Sequence, residues 1–263
     1  QHVFENSEIP EVYEHLAAVD KLLYKIRYRE LEVNVADCRG IMANYNFRSA
    51  ANKILNNPKY IDYNLFGTVT GRLSTHPGSF PILTMSKVFR MLLKPQNDWY
   101  LSLDYNGAEA RTVLSLLDVP QPDCDVHQWN LENVLSSSVK TREEAKKTFF
   151  SWLYNPDSKI IQDSIYDRDA LLQKYYEDEH VSTVFGRKIK VDEYKALNYI
   201  IQSTTADLVN DRAVQLDKLL HGKKSFVSHI VHDEVVIDLH DEDRPLVPEI
   251  EKTFSNNKIG KYK

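Results

Sequence analysis

The chain has 263 residues, 42% hydrophobic and 11% aromatic, enough to bury a real core in one large domain or two small ones. No apolar run approaches the ~18 residues of a membrane span, nothing is low-complexity, and the polar, acidic start QHVFENSEIP is not a signal peptide. Two cysteines, Cys38 and Cys124, lack metal-type spacing and point to a reducing, intracellular setting without secretion; the missing initiator Met reads as a fragment or a processed product.

The net charge of −5 is unevenly spread. Residues 38–97 hold Arg39, Arg48, Lys53, Lys59, Arg72, Lys87, Arg90 and Lys94 against the single acid Asp62, a local +7 that leaves −12 elsewhere. A basic face beside an acidic remainder fits a phosphate-backbone binder; charge alone fits a solvated surface equally well. Along the chain, residues 10–31 read as an amphipathic helix with Leu16, Val19, Leu23 and Ile26 at helical spacing, and residues 41–57 read as a second helix. YNLFGTVTGRLST at 63–75 has the punctuation of a hairpin.

Trp99 to Leu103 alternates as a short buried strand, with Asp104 at its end. Asn106 and Gly107 allow a turn, and Ala108 to Leu117 has helical composition. Asp104 therefore caps that helix or, held on a strand end, presents a carboxylate to a metal ion. A second stretch, FVSHIVHDEVVIDL at 226–239, reads as a hairpin with His232, Asp233 and Glu234 at its tip, and two strand-borne aspartates brought together would suit a two-metal site. Between them, TREEAKKTFFSWLYN puts Arg142, Lys146, Phe150 and Tyr154 four residues apart, each step turning only about 40° around a helix. They form one stripe, which by pattern alone is also that of a solvated amphipathic helix. Residues 159–178 read as one helix, VSTVFGRKIKV at 181–191 as a hairpin turning at Gly186 and Arg187, and a long helix runs from Asp192 to about Leu220 with Asn198 and Gln202 one turn apart.

DYNGAEAR at 104–111 and VHDE at 231–234 resemble the two metal-binding motifs of the A-family DNA polymerases, and GTVTGRLST, the helix at 141–155 and the pair Asn198 and Gln202 follow in that family's order. The resemblance covers roughly residues 60–240. It implies an α+β right-hand polymerase core with an antiparallel palm sheet, helical fingers and a thumb that is short or absent. On that scheme residues 1–60 are a helical thumb remnant or connecting segment (a plain core-packing helix is the alternative for 10–31), 61–120 the first part of the palm, 121–190 the fingers and 191–263 the second part of the palm.

The same resemblance assigns roles. Asp104 and Asp233, with the backbone carbonyl of Tyr105, would hold two Mg²⁺ ions. Arg142 and Lys146 would hold the triphosphate, Lys146 also protonating the leaving pyrophosphate, and Phe150, Tyr154 and His127 would line the nucleotide site. Glu109, otherwise a surface salt-bridge residue, would crowd the sugar 2′ position and exclude ribonucleotides. Arg72, Asn198, Gln202 and His232 would contact primer–template DNA, and Arg111 and Glu234 would support the site. The implied activity is template-directed addition of deoxynucleotides to a primer 3′ end, with no membrane partner. The alternatives are a catalytically weak primer–template binding module and a two-metal nuclease, the latter giving no reason for the Arg142 to Tyr154 stripe.

Several residues depart from the family pattern. FFSWLYN lacks both glycines of NFGxxYG, Glu143 replaces a second arginine, HPGSFPILTM lacks the expected Asn segment, Ser203 and Tyr194 replace a glycine and an arginine, and NNKIGKYK reads as a basic tail, with the family's final strand expected to be missing.

Overall fold

The computed structural model describes residues 10–135, 139–158, 161 and 165–263. Its elements run α1 (Pro10–Arg27), β1 (Glu32–Val33), α2 (Val35–Ile41), α3 (Tyr45–Asn56), β2 (Tyr63–Asn64), β3 (Ser74–Thr75), α4 (Lys87–Arg90), β4 (Leu93–Lys94), β5 (Trp99–Asp104) and α5 (Ala108–Leu116). Then come α6 (Val126–Asn133), α7 (Arg142–Tyr154), α8 (Arg168–Tyr175), β6 (Tyr176–Glu177), β7 (His180–Ser182), β8 (Lys188–Lys190), α9 (Glu193–Leu219), β9 (Phe226–Val231), β10 (Glu234–Leu239), α10 (Val247–Ser255), β11 (Asn256–Asn257) and β12 (Gly260–Lys261). The result is a mixed helix and sheet fold with small antiparallel sheets. Among the described residues no helix is long and apolar enough to cross a membrane.

The chain divides into two compact units. One comprises residues 15–104 and 209–254. Its centre is the three-stranded sheet β5-β10-β9, in which Glu234 pairs with Asp104 and with Val231. β9 and β10 are joined by His232 and Asp233 alone, and His232 takes φ 56°, the left-handed first position that a tight hairpin demands. Val227, Ile230, Val235 and Ile237 of the sheet are buried, as are Ile61, Phe80, Ile82 and Ile250 of the same unit and Val19, Leu22, Leu23 and Ile26 of α1. The β2–β3 ladder closes the 63–75 hairpin. Tyr63 ties it to β9: its hydroxyl donates to the Ile230 carbonyl at 2.5 Å and accepts from the Ile230 N–H at 2.9 Å.

The other unit comprises the described residues among 10–14, 105–208 and 255–263. Its core gathers Val113, Leu114, Ala145, Phe149, Trp152, Leu153, Tyr166, Ala196 and Ile200 from α5, α7, α9 and the segment before α8. α7 starts on a capping box in which Thr141 and Glu144 satisfy each other's backbone donors, and it buries Ala145, Phe149, Trp152 and Leu153 on one face. α9 ends before His221 and Gly222, the glycine at φ 76° accepting the left-handed turn that stops it.

Several expectations need correction. The stretch 41–57 is not one helix, because Asn44 caps a new start and separates α2 from α3. β5 is an edge strand and so is less buried than expected: Leu103 is its buried residue and Trp99 is half-exposed. Helix 159–178 shrinks to Arg168–Tyr175, since Tyr176–Glu177 turns through left-handed Asp178 and Glu179 to pair with β7; residues 159, 160 and 162–164 lie outside the described residues. The basic C-terminal stretch takes part in the fold. It forms the β11–β12 hairpin, with Tyr262 buried against Tyr105 at 5.2 Å and the Lys263 carbonyl accepting from the Asn106 N–H at 2.9 Å.

Candidate active site

Asp104 ends β5 and does not cap α5. Gly107 takes the cap position at φ 67°, where a side chain would run into Val126 and His127, so the turn demands glycine there. Freed from capping, Asp104 lines a cleft of about 520 Å³ together with Lys87, Arg90, Ser102, His229, Asp233 and Glu234. Asp104 is exposed as a residue, yet the cleft still desolvates its carboxyl. That burial, then the neighbouring charges of Asp233 and Glu234, push its pKa up against the opposing pull of Lys87 and Arg90. The Asp233 carboxyl is also raised, chiefly by burial, with Arg72 and His232 pulling the other way. Two repelling carboxylates in one cleft are in the electrostatic state that a divalent cation relieves.

The surrounding groups fix these acids. His232 Nε2 donates to the Leu83 carbonyl at 3.1 Å, which holds the hairpin tip. Glu234 receives Arg90 Nη1 on Oε2 at 2.6 Å and the Ser102 hydroxyl on Oε1. His229, buried beneath the cleft, is held near pKa 4 by desolvation, accompanies Tyr100 edge-on at 5.7 Å, and stays neutral at physiological pH. Lys87, Arg90 and Ser102 were not singled out in the sequence; the only signal for the two cations was their place in the basic window.

The second unit holds the stripe. α7 exposes Lys146 and Tyr154 and leaves Arg142 and Phe150 half-buried, beside its apolar face, with Phe150 packed against the core. Phe150 and Tyr154 stack, with ring centroids 5.8 Å apart and 9° between planes. Arg142 is engaged: Nε and Nη2 reach the two oxygens of Asp125 at 3.0 and 2.7 Å, and Nη1 reaches Glu143 at 2.6 Å. Asp125 also caps α6, accepting from the His127 and Gln128 N–H groups, and takes Asn106 Nδ2 at 2.5 Å. Burial works against its charge, but these donors hold its carboxyl well below the usual range. His127 is buried, with pKa lowered to about 4 by desolvation, beside Phe150 at 6.0 Å, and among the described residues its Nδ1 has no hydrogen-bond partner.

Glu109 is not a surface salt-bridge residue. Only 6% exposed, it accepts from the Tyr154 hydroxyl at 2.9 and 3.2 Å, while Gln202 Nε2 donates to that hydroxyl at 3.5 Å. The unit thus brings together Glu109, Tyr154 and Gln202. Asn198, one turn before Gln202 on α9, has a buried Oδ1 without a partner among the described residues. Arg111 is fully buried and donates to the carbonyls of Asn106, Pro122 and Cys124 at 2.8, 3.0 and 2.8 Å, tying the loop after α5 to the turn before it. Arg187 and Asp207 form a buried two-pronged pair at 2.9 and 2.7 Å, fixing the β7–β8 hairpin to α9.

No family model matches the chain, and no curated protein sequence matches it. Among solved structures, the POL domain of Pol1 from M. smegmatis, in complex with DNA primer-template and dNTP, is similar with a TM-score of 0.65 and 13% identity. The alignment covers 96% of this chain and 65% of that one, so this chain spans about two-thirds of its length. At that identity the likeness is one of fold, and the chain has a polymerase-like fold.

Proposed function

We propose that the chain is the core of a template-directed DNA polymerase of the A-family type, adding deoxynucleotides to a primer 3′ end. The observation that carries this reading is the pair Asp104 and Asp233 lining one cleft on the central sheet of a polymerase-like fold. Among the described residues, no group of three or more His, Cys, Asp or Glu side chains comes together for a metal ion. Two carboxylates with further oxygens from backbone and substrate are nonetheless the usual setting for Mg²⁺, and their raised carboxyls fit it. Asp104 and Asp233 would hold the ions, with the carbonyl of Tyr105, next in the chain, as a further ligand. Bound there, Mg²⁺ supplies Lewis acidity that activates a 3′-hydroxyl and offsets triphosphate charge.

The chain's own residues do the rest. Arg72, whose charge acts on Asp233, and His232, beside Asp233 on the hairpin tip, orient the primer end. Lys146 neutralises the triphosphate and gives its proton to the leaving pyrophosphate, while Arg142 adds those donors that Asp125 leaves over. Phe150 stacks near the sugar. Glu109, held by Tyr154, presents a buried acid against a 2′-hydroxyl and so selects deoxynucleotides. Asn198 and Gln202 reach the acceptors that every base pair shows in the minor groove, and Arg111 braces the turn that follows Asp104. In these terms the antiparallel sheet with Asp104 and Asp233 is the palm, and α7 belongs to the fingers.

Primer extension with Mg²⁺ and deoxynucleotides tests the reading. Extension by the wild-type chain that vanishes in Asp233→Asn supports it; a folded chain that binds primer–template and never extends it refutes catalysis. The second reading, a primer–template binding module with weak catalysis, is favoured by one observation. Arg142 is already neutralised by Asp125 and Glu143.

A further inference from the structure

Glu234 sits directly across from Asp104 in the β5–β10 register, so the two side chains share the cleft face of the sheet with Cβ atoms about 5 Å apart. Ser102, two residues before Asp104, faces the same way. By position Glu234 is the natural third carboxylate beside Asp104 and Asp233. Its carboxylate is spoken for instead, Oε2 by Arg90 Nη1 at 2.6 Å and Oε1 by the Ser102 hydroxyl. Arg90 reaches it from α4, a short helix, and Arg90 has no other acid at salt-bridge distance among the described residues. Three carboxylates around one ion would favour tighter binding and the larger, higher-coordinate cations, whereas Mg²⁺ is held by one or two carboxylates with oxygens left for substrate.

We infer that Arg90 and Ser102 are positioning residues that hold Glu234 away from the divalent-ion site, keeping it a two-carboxylate site. The inference rests on the reading that Asp104 and Asp233 bind the ions. It predicts that releasing Glu234 adds a ligand, tightens divalent binding and shifts preference from Mg²⁺ toward Ca²⁺ and Mn²⁺.

The test is direct titration of the whole chain with Mn²⁺, read by electron paramagnetic resonance without nucleotide or DNA. Arg90→Gln is expected to tighten Mn²⁺ binding about tenfold. Arg90→Lys, which keeps a cation for Glu234, is expected to behave as wild type. Removing Arg90 also removes a positive charge, so the deciding variant is Arg90→Gln with Glu234→Gln: the gain disappears there if Glu234 had become a ligand and persists if charge alone caused it. Ser102→Ala changes no charge and should give a smaller shift in the same direction, and it decides the question should Arg90→Gln fail to fold. Unchanged affinity in both Arg90→Gln and Ser102→Ala, or a gain that survives Glu234→Gln, overturns the inference. So does a large loss of Mn²⁺ affinity in Glu234→Gln alone, which would make Glu234 a ligand already. If wild type binds Mn²⁺ and Asp233→Asn does not, those failures touch only the inference. Absence of Mn²⁺ binding by wild type overturns the metal reading and the inference with it.

Discussion

Tyr154→Phe removes one oxygen and asks what the Glu109 contact contributes. Glu109 is 6% exposed, and the Tyr154 hydroxyl lies 2.9 and 3.2 Å from its two oxygens. A hydrogen bond to a charged group contributes about 1.5–3 kcal/mol, because losing it leaves a desolvated charge one partner short. Tyr154 itself is 44% exposed, so water can replace part of the hydroxyl, which places the expected loss near the lower end, about 1.5 kcal/mol. Urea unfolding of wild type, Tyr154→Phe, Glu109→Gln and the double variant isolates the pair, since a cycle cancels effects that either change has elsewhere. Coupling of about 1–2 kcal/mol is expected. Coupling below about 0.3 kcal/mol, within the ordinary error of additivity, would refute the idea that the hydroxyl anchors the acid. On the proposed function, Tyr154→Phe also loosens Glu109 and raises ribonucleotide incorporation relative to deoxynucleotide, whereas an unchanged ratio would detach the contact from sugar selection.

Burial raises the folded-state pKa of Asp104 and Asp233, and the charges of Asp233 and Glu234 add to the rise at Asp104, so the folded chain binds protons more readily than the unfolded one between the unfolded carboxylate value, about 3.9, and the folded value. Both acids therefore cost stability at neutral pH, and the cost is relieved as pH falls. Without metal, Asp233→Asn should have a higher urea midpoint than wild type at pH 7, an advantage that fades toward pH 3; equal midpoints at pH 7 would contradict the electrostatic account. Asp125 has the opposite sign. Its depressed carboxyl stabilises above the unfolded carboxylate pKa, and that contribution is lost as pH falls through the folded one. Asp125→Ala should cost about 1–2 kcal/mol, roughly 1 from the cap and at most 1 from a partly exposed ion pair, and a cost under about 0.5 in chemical denaturation would show both contacts idle. Because Arg142 is committed to Asp125 and Glu143 while Lys146 is exposed, Lys146→Ala should weaken deoxynucleotide binding more than Arg142→Ala does; fluorescence titration giving the reverse order would mean Arg142 leaves its partners on binding.

The parts legible in the sequence are those set by local rules. Two apolar runs around the tip at His232, Asp233 and Glu234 located β9 and β10, and helical spacing located α1 and α7. Less legible were features decided by partners distant in the chain. Nothing local says that β5 lies at a sheet edge and leaves Trp99 half-exposed, because edge or centre depends on which strands arrive beside it. Nothing local says that Glu109 is buried either, since the Tyr154 hydroxyl that receives it lies 45 positions away. Arg90 and Ser102 were invisible for the same reason: an arginine in a basic window and a serine in a strand have no chemistry until Glu234 is folded against them.

Charge explains why the acids and the cations of the proposed chemistry stand in different states. The acids of the cleft are left at a cost, with Asp104 and Asp233 both pushed toward protonation by burial and Asp104 further by the charges of Asp233 and Glu234, a cost that an incoming cation or proton removes. Arg142, by contrast, is satisfied within the fold, so an anion gains its help only by competing with Asp125 and Glu143. On the proposed function, the chain should take up divalent cations readily in the absence of nucleotide and take up triphosphate weakly in the absence of cations. The order of binding then follows from the electrostatics: occupation of the acids supplies the positive charge that the neutralised arginine does not.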